Sequence, residues 1–308
     1  MKNHIYTLPK FKTITWEMTN YCNYSCSYCI PELNGGSIPL PKSFDHIIKL
    51  VKDFRQDKNL IFDIMGGEPT LWPKFKEFCF ALKNTSNAET HIVFSTNASR
   101  TLRWWQQFDA PVSNLGLSFH PEEASIEHFI DVIKEIQHKN NVTVYIMCPP
   151  KNNEKSKKLL KEIIKNKFRV RALLKLVMNW ESGGKGLVAG YDDATLKLIA
   201  DSDYKHPDCD LEPINHTLYY NDNPIGVRQI INKNLNQFKG WSCKLGSNNL
   251  YVKANGNIQG SACGIHGSVI GNLDSGYELK TSPVICTREF CGCAADIEIE
   301  KWYTNTIE

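Results

Sequence analysis

Six times in its first 200 residues the chain repeats one pattern, a short β-rich apolar run followed by a stretch with helical spacing. The strands read near 13–18 (TITWEM), 60–65 (LIFDIM), 90–96 (THIVFST), 114–119 (NLGLSF), 141–147 (NVTVYIM) and 170–178 (VRALLKLVM). The helices read near 43–57, 73–84, 100–108, 122–139, 153–167 and 192–201. In SFDHIIKLVKDF, for example, Phe44, Ile47, Ile48, Val51 and Phe54 fall on one side of a helix. This alternation predicts an α/β fold: a parallel sheet covered by helices and joined by right-handed crossovers. In such sheets the loops at the carboxyl ends of the strands gather the chemistry.

Eleven cysteines run through the 308 residues. A chain this long builds a full core without covalent staples. Its net charge is only +3, with 42% apolar and 22% charged residues. That balance describes a soluble globular protein and is too mild to imply nucleic acid or membrane as a partner. The opening MKNHIYTLPKFKTITWEMTN lacks the apolar core and small-residue cleavage site of a signal peptide. No run approaches the roughly 20 apolar residues that span a bilayer. These features predict a cytoplasmic protein whose cysteines stay reduced. So many thiols exceed what a core uses, and the surplus points to metal or redox chemistry.

TNYCNYSCSYCIPE, residues 19–32, follows the first strand directly and packs Cys22, Cys26 and Cys29 into one short loop. Iron–sulfur clusters usually take four thiolates. Three leave one iron without a protein ligand, an open position for a small molecule, much as a vacancy separates catalytic from structural zinc. MGGEPT, residues 65–70, follows the second strand. The plain alternative is a zinc site completed by a distant cysteine, with GGEP as an ordinary turn.

CNYSCSYC resembles the signature loop of the radical S-adenosylmethionine (radical SAM) superfamily, and GGEPT is similar to its methionine-binding segment. Both stand in the family's order and at its strand ends, over roughly residues 13–200. The resemblance implies a partial (β/α)6 TIM-like barrel. It further implies a [4Fe–4S] cluster on Cys22, Cys26 and Cys29 whose open iron binds the methionyl amine and carboxylate of S-adenosyl-L-methionine. Reductive cleavage of the sulfonium bond then yields a 5′-deoxyadenosyl radical that abstracts hydrogen from substrate. For the cofactor, the resemblance assigns Tyr28 to the adenine, and Gly66 and Gly67 to close backbone approach. Glu68 is assigned to the cationic amine, and Thr96, Asn97 and Ser118 to the ribose or carboxylate. His120 stands where related enzymes often carry an acid, which leaves its role open.

Beyond residue 181 the period is lost in turn-rich stretches, and NNLYVKANGNIQGSAC then reads as a hairpin turning at Asn255-Gly256. Cys243, Cys263, Cys286, Cys291 and Cys293 flank or follow it. This region resembles the SPASM and twitch modules of radical SAM enzymes, which implies one auxiliary iron–sulfur cluster of the [4Fe–4S] kind. Cys243, Cys263, Cys291 and Cys293 are the favoured ligands, with Cys286 as contender. A structural zinc on the same residues is the alternative. The predicted organisation is an extension (1–12), the barrel (13–202), a connecting segment (203–240) and a small hairpin-containing cluster domain (241–308).

Other features read as structural. Cys79 and Cys148 are core residues, while Cys209 in HPDCD lies in a solvated loop. The basic run 151–171 is a helix with a solvated lysine face and Leu159, Leu160, Ile163 and Ile164 inside. Of Trp104 and Trp105, at least one belongs to the core. The chain therefore reads as a radical SAM enzyme acting on a peptide or a sugar-type small molecule, served by a reductant such as a flavodoxin or ferredoxin. The rival reading is a zinc-bearing α/β binding module that uses the basic helix to hold an acidic partner.

Overall fold

A computed structural model describes residues 3–8, 10–30, 34, 36, 41, 43–179, 187–209, 217–264 and 269–303. Strand β1 (Asn3–Leu8) opens the chain, and β2 (Lys12–Glu17) begins the larger sheet. Parallel to it, in chain order, lie β3 (Leu60–Met65), β4 (Thr90–Thr96), β5 (Asn114–Phe119), β6 (Val142–Met147) and β7 (Arg171–Lys175). The crossovers carry helices α1 (Asp45–Arg55), α2 (Phe75–Lys83), α3 (Leu102–Gln106), α4 (Ile126–Ile136) and α5 (Glu154–Lys165). Helix α6 (Asp193–Asp201) follows β7, and β8 (Tyr204–Lys205) closes that edge antiparallel to β7. These are the six strand–helix units that the alternation predicts. The turn-rich ESGGKG, residues 181–186, lies outside the described residues.

Two-residue alternation decides which side chains face the helices. Leu60, Phe62 and Ile64 of β3 are fully buried, as are Leu115, Leu117 and Phe119 of β5 and Val142, Val144 and Ile146 of β6. They pack with Leu50, Val51, Phe78, Leu82, Phe129 and Ile133 from α1, α2 and α4 into one continuous core. The alternate residues, among them Asp63, Met65, Ser118, Tyr145 and Met147, are half-buried on the inner face of the partial barrel.

The C-terminal region is β-rich. It holds β9 (Thr217–Tyr220), β10 (Asn223–Pro224), helix α7 (Val227–Asn232), β11 (Ser242–Cys243), β12 (Asn249–Val252), β13 (Asn257–Gln259) and β14 (Val269–Asn272). After these come β15 (Gly276–Tyr277), β16 (Val284–Ile285), helix α8 (Ala294–Ile297) and β17 (Lys301–Tyr303). The predicted hairpin is β12–β13, and it extends the larger sheet: β12 runs parallel to β2, with Tyr251 opposite Thr15. In exchange, β1 joins the smaller sheet, whose order is β10-β9-β1-β17-β11-β16. A second core of Ile5, Leu218, Ile230, Phe238, Trp241 and Ile297 lies against that sheet.

Two expectations are corrected. Cys209 is 3% exposed rather than solvated, because Arg169 donates to the Asp208 carbonyl at 2.9 Å and draws the loop inward. Ile164 is exposed, since the buried stripe of α5 is completed by Ser156 and not by a fourth aliphatic residue. Cys79, Cys148 and Trp105 are fully buried. Trp104 packs at the rim of the core, under the Arg100 guanidinium.

Candidate active site

The ladder between β2 and β3 does not stop at the strand ends. Met18 N–H donates to the Met65 carbonyl at 2.8 Å, Gly67 N–H to Thr19 at 2.7 Å, and Glu68 N–H to Tyr21 at 2.9 Å. The glycine loop is thereby laid backbone to backbone against the start of the cysteine loop. A Cβ on Gly66 would run into the Thr19 carbonyl, and one on Gly67 into the Tyr21 carbonyl. Gly66 also takes a φ of +137°, which side-chain-bearing residues rarely adopt. The paired glycines are thus needed first for contact between two protein loops.

Glu68 is fully buried beneath that contact. Its Oε1 accepts from Thr70 N–H (3.0 Å) and from the Thr70 and Thr96 hydroxyls (both 2.6 Å), and Oε2 accepts from Asn97 N–H at 2.6 Å. Burial pushes the carboxyl up, and these four hydrogen bonds pull against it. The carboxylate therefore ties the end of β3 to the end of β4. Asn97 in turn donates through Nδ2 to Asn23 Oδ1 (3.1 Å) and weakly to Cys22 Sγ (3.7 Å), which links β4 to the cysteine loop.

Within the loop, Cys26 is 7% exposed, while Cys22 and Cys29 are half-buried. Burial and then the other two thiols push Cys26 up to about 12, and burial and then Cys22 push Cys29 up to about 11. Burial also raises Cys22, and thiols raised in this way become thiolates only beside a strong cation, which is the chemistry of a metal site. Among the described residues no three His, Cys, Asp or Glu side chains are gathered to hold a single metal ion. Three cysteine thiols brought together by one loop are the donor type that iron–sulfur clusters take, and to that extent this donor set fits such a group.

Sequence reasoning missed the loop's second support. Glu123 accepts from Ser25 N–H at 3.0 Å, and Glu122 accepts from Ser27 N–H (2.7 Å) and its hydroxyl (2.6 Å). The Tyr28 hydroxyl and His120 Nδ1 share a hydrogen bond of 3.2 Å, with their rings stacked at 5.9 Å. Burial pushes His120 down to about 4, so at neutral pH it is an uncharged partner. HPEE, directly after a strand end, was the available signal; it was read only as an unexplained histidine. Tyr28 is thus engaged with His120, and Thr96 and Asn97 with Glu68. Ser118 lies opposite Tyr145 on the inner face and takes no part in these bonds.

Below this rim, Asp63 sits opposite Thr15 and Val93 on the inner face. Its carboxyl makes no hydrogen bond among the described residues, and burial alone pushes it up to about 6. A folded-state value above the unfolded one means stability that is present below about pH 4 and lost as pH rises through 6, about 3 kcal/mol in all. Asp63→Asn is expected to melt like the parent at pH 4 and roughly 5 °C higher at pH 7. Thermal unfolding across that range checks this; a variant that melts lower at pH 7 would show that the carboxylate has a partner.

The second cysteine set is held just as firmly. Cys243 lies in β11 opposite Lys301, and Cys286 exchanges backbone bonds with Trp241 and Gly240, each 2.8 Å. Cys291 is clamped by Asn236, which accepts its N–H and donates to its carbonyl, both at 2.8 Å. Asp296 accepts from the N–H groups of Ala262 (3.3 Å) and Cys263 (3.0 Å). Cys243 and Cys286 are buried in the second core, and Cys263 and Cys291 pack against it. Cys293 is exposed. Burial comes first in raising Cys243 to about 11 and Cys291 to about 12.

Among solved structures the chain is similar to native anSMEcpe with bound AdoMet, at 15% identity and a TM-score of 0.57, covering 86% of this chain and 78% of that one. It is also similar to Streptococcus suis SuiB bound to precursor peptide SuiA, at 14% identity and a TM-score of 0.54, covering 87% and 65%. These likenesses are of fold. A curated relative, the S-adenosylmethionine-dependent nucleotide dehydratase of Thermoplasmatales archaeon (strain ISO4-H5), is 23% identical over 118 residues, 38% of this chain and 41% of that protein. The GTP 3′,8-cyclase of Vibrio atlanticus is 28% identical over 125 residues, 39% and 37%. The matches thus span about two-fifths of these relatives. The family model for the radical SAM superfamily matches residues 16–163. That stretch, just under half of the chain, runs from β2 into α5 and takes in both the cysteine loop and the glycine loop laid against it; this part of the chain belongs to the radical SAM superfamily.

Proposed function

We propose that this radical SAM enzyme holds a [4Fe–4S] cluster on Cys22, Cys26 and Cys29, cleaves S-adenosyl-L-methionine reductively, and abstracts hydrogen from a peptide or sugar-type substrate. The observation that carries the reading is the backbone seam between residues 18–21 and 65–68, which fixes a three-thiol loop at the carboxyl end of the sheet. When bound, the cluster and S-adenosyl-L-methionine supply an electron and a sulfonium bond whose breakage leaves a 5′-deoxyadenosyl radical. The chain's own residues orient and enclose. Glu122, Glu123 and His120 steady the loop; Glu68 sets the Thr96 and Asn97 positions from beneath; Tyr28, Gly66, Gly67 and Ser118 border the space for the nucleotide.

Four of the five C-terminal cysteines, with Cys243, Cys263, Cys291 and Cys293 favoured and Cys286 the contender, supply the ligands of one auxiliary cluster, and a flavodoxin or ferredoxin supplies electrons. A peptide substrate is favoured over a nucleotide. The curated relatives named for nucleotides match less than two-fifths of this chain, whereas anSMEcpe with bound Kp18Cys peptide and SuiB with its precursor peptide share the fold over 87% of it. Among the described residues no helix is long and apolar enough to cross a membrane. The test is anaerobic reconstitution. About eight irons per chain, with 5′-deoxyadenosine released on reduction in the presence of S-adenosyl-L-methionine, is the expected result. A colourless protein that carries zinc and releases none would favour the binding-module reading.

A further inference from the structure

We propose that Lys301 is the fixed positive charge of the second cysteine site and raises the reduction potential of the cluster held there. This rests on the auxiliary-cluster reading above. Lys301 is 2% exposed, on β17, directly across the strand pair from Cys243. Its ammonium donates to the carbonyls of Asp296, Ile297 and Ile299, each at 2.8 Å, and lies 4.8 Å from the centre of the Phe238 ring. Those three bonds use every proton the group carries, so its position is locked.

The ammonium forms no salt bridge to a carboxylate among the described residues. Asp296 has its oxygens directed at the Ala262 and Cys263 N–H groups. Arg288 is turned to the Cys263 carbonyl, and Lys244 to Glu300. The Asp296 carboxyl feels the ammonium but spends its oxygens on those N–H groups, so the buried charge lacks a direct ion pair, which is unfavourable until an anion stands beside it. Cys243, opposite Lys301 on the paired strand, is the ligand beside which that charge stands. A cubane with thiolate ligands carries net negative charge and gains one more on reduction. A cation locked beside a ligand therefore favours the reduced form.

The test uses the full chain with Cys22, Cys26 and Cys29 replaced by alanine, so that the remaining iron belongs to the second site, with spectroscopic redox titration as the readout. If this parent holds no iron, the auxiliary-cluster reading falls, and the proposal with it. If it holds iron, Lys301→Met and Lys301→Gln should raise the oxidised-to-reduced ratio at a fixed potential about tenfold, about 59 mV for one electron. Lys301→Arg should stay near the parent. Neutral variants that keep both iron and midpoint overturn the proposal. If the neutral variants fold without iron, a Lys301→Arg chain that keeps it supports a need for charge, and one that loses it as well assigns Lys301 to packing and overturns the proposal.

Discussion

Cys26→Ala is expected to purify with about four irons per chain in place of about eight, and to release no 5′-deoxyadenosine above background. Cys26 is the central and most buried thiol of its loop, and the one most strongly raised by its two neighbours. Its side chain meets Tyr28 within the loop but carries none of the hydrogen bonds that tie the loop to the sheet and to the 120–123 turn. Those belong to the backbone of residues 18, 25, 27, 67 and 68 and to the side chains of Glu122 and Glu123. Removing one sulfur therefore leaves the scaffold standing and takes away only a ligand. The remaining iron, on the C-terminal cysteines, reports that the chain is folded. A variant that kept all of its iron and released 5′-deoxyadenosine at the parent rate would remove the catalytic assignment of the loop.

Glu68→Ala is expected to lower stability by roughly 3–5 kcal/mol, and Glu68→Gln by about half as much. Alanine strands four buried donors, of which the N–H groups of Thr70 and Asn97 cannot turn away to find other acceptors. Glutamine keeps one oxygen but points an amide N–H at donors. The two losses are separable from damage at the cluster. Chemical denaturation of the chain without iron reads stability alone, and iron retention reads whether Asn97 still bridges to the cysteine loop. Equal stability of Glu68→Ala and parent would mean that the carboxylate is not the tie between β3 and β4.

The sheet was legible because its signal is local: LIFDIM and NLGLSF alternate with helical stretches, and the observed strands match residues 60–65 and 114–119. The cysteine and glycine motifs were legible because each lies within one short loop. What escaped notice involves partners far apart in sequence. Glu122 and Glu123 reach Ser27 and Ser25 across some ninety-five residues, and nothing in HPEEA specifies such a partner. Glu68 was assigned to the amine of a ligand, and the four protein donors on its oxygens were not foreseen; a motif gives the residue type at a strand end but not how many donors converge on it. β1 was read as an extension because six residues with mixed polarity look like a leader until β9 and β17 pair with either side.

The exchange of strands between the two sheets constrains how this molecule can be taken apart. β12 lies hydrogen-bonded along the outer margin of β2, and its Tyr251 hydroxyl reaches Glu17 at the foot of the cysteine loop. β1, one turn of chain upstream, is stitched between strands from the far end of the polypeptide. The larger sheet lacks the neighbour of β2 until β12 has been made, so the first cysteine loop gains that side of its surroundings only after residues 249–252 have been added. The seat of the three thiols is thereby finished more than two hundred residues after the motif itself has emerged.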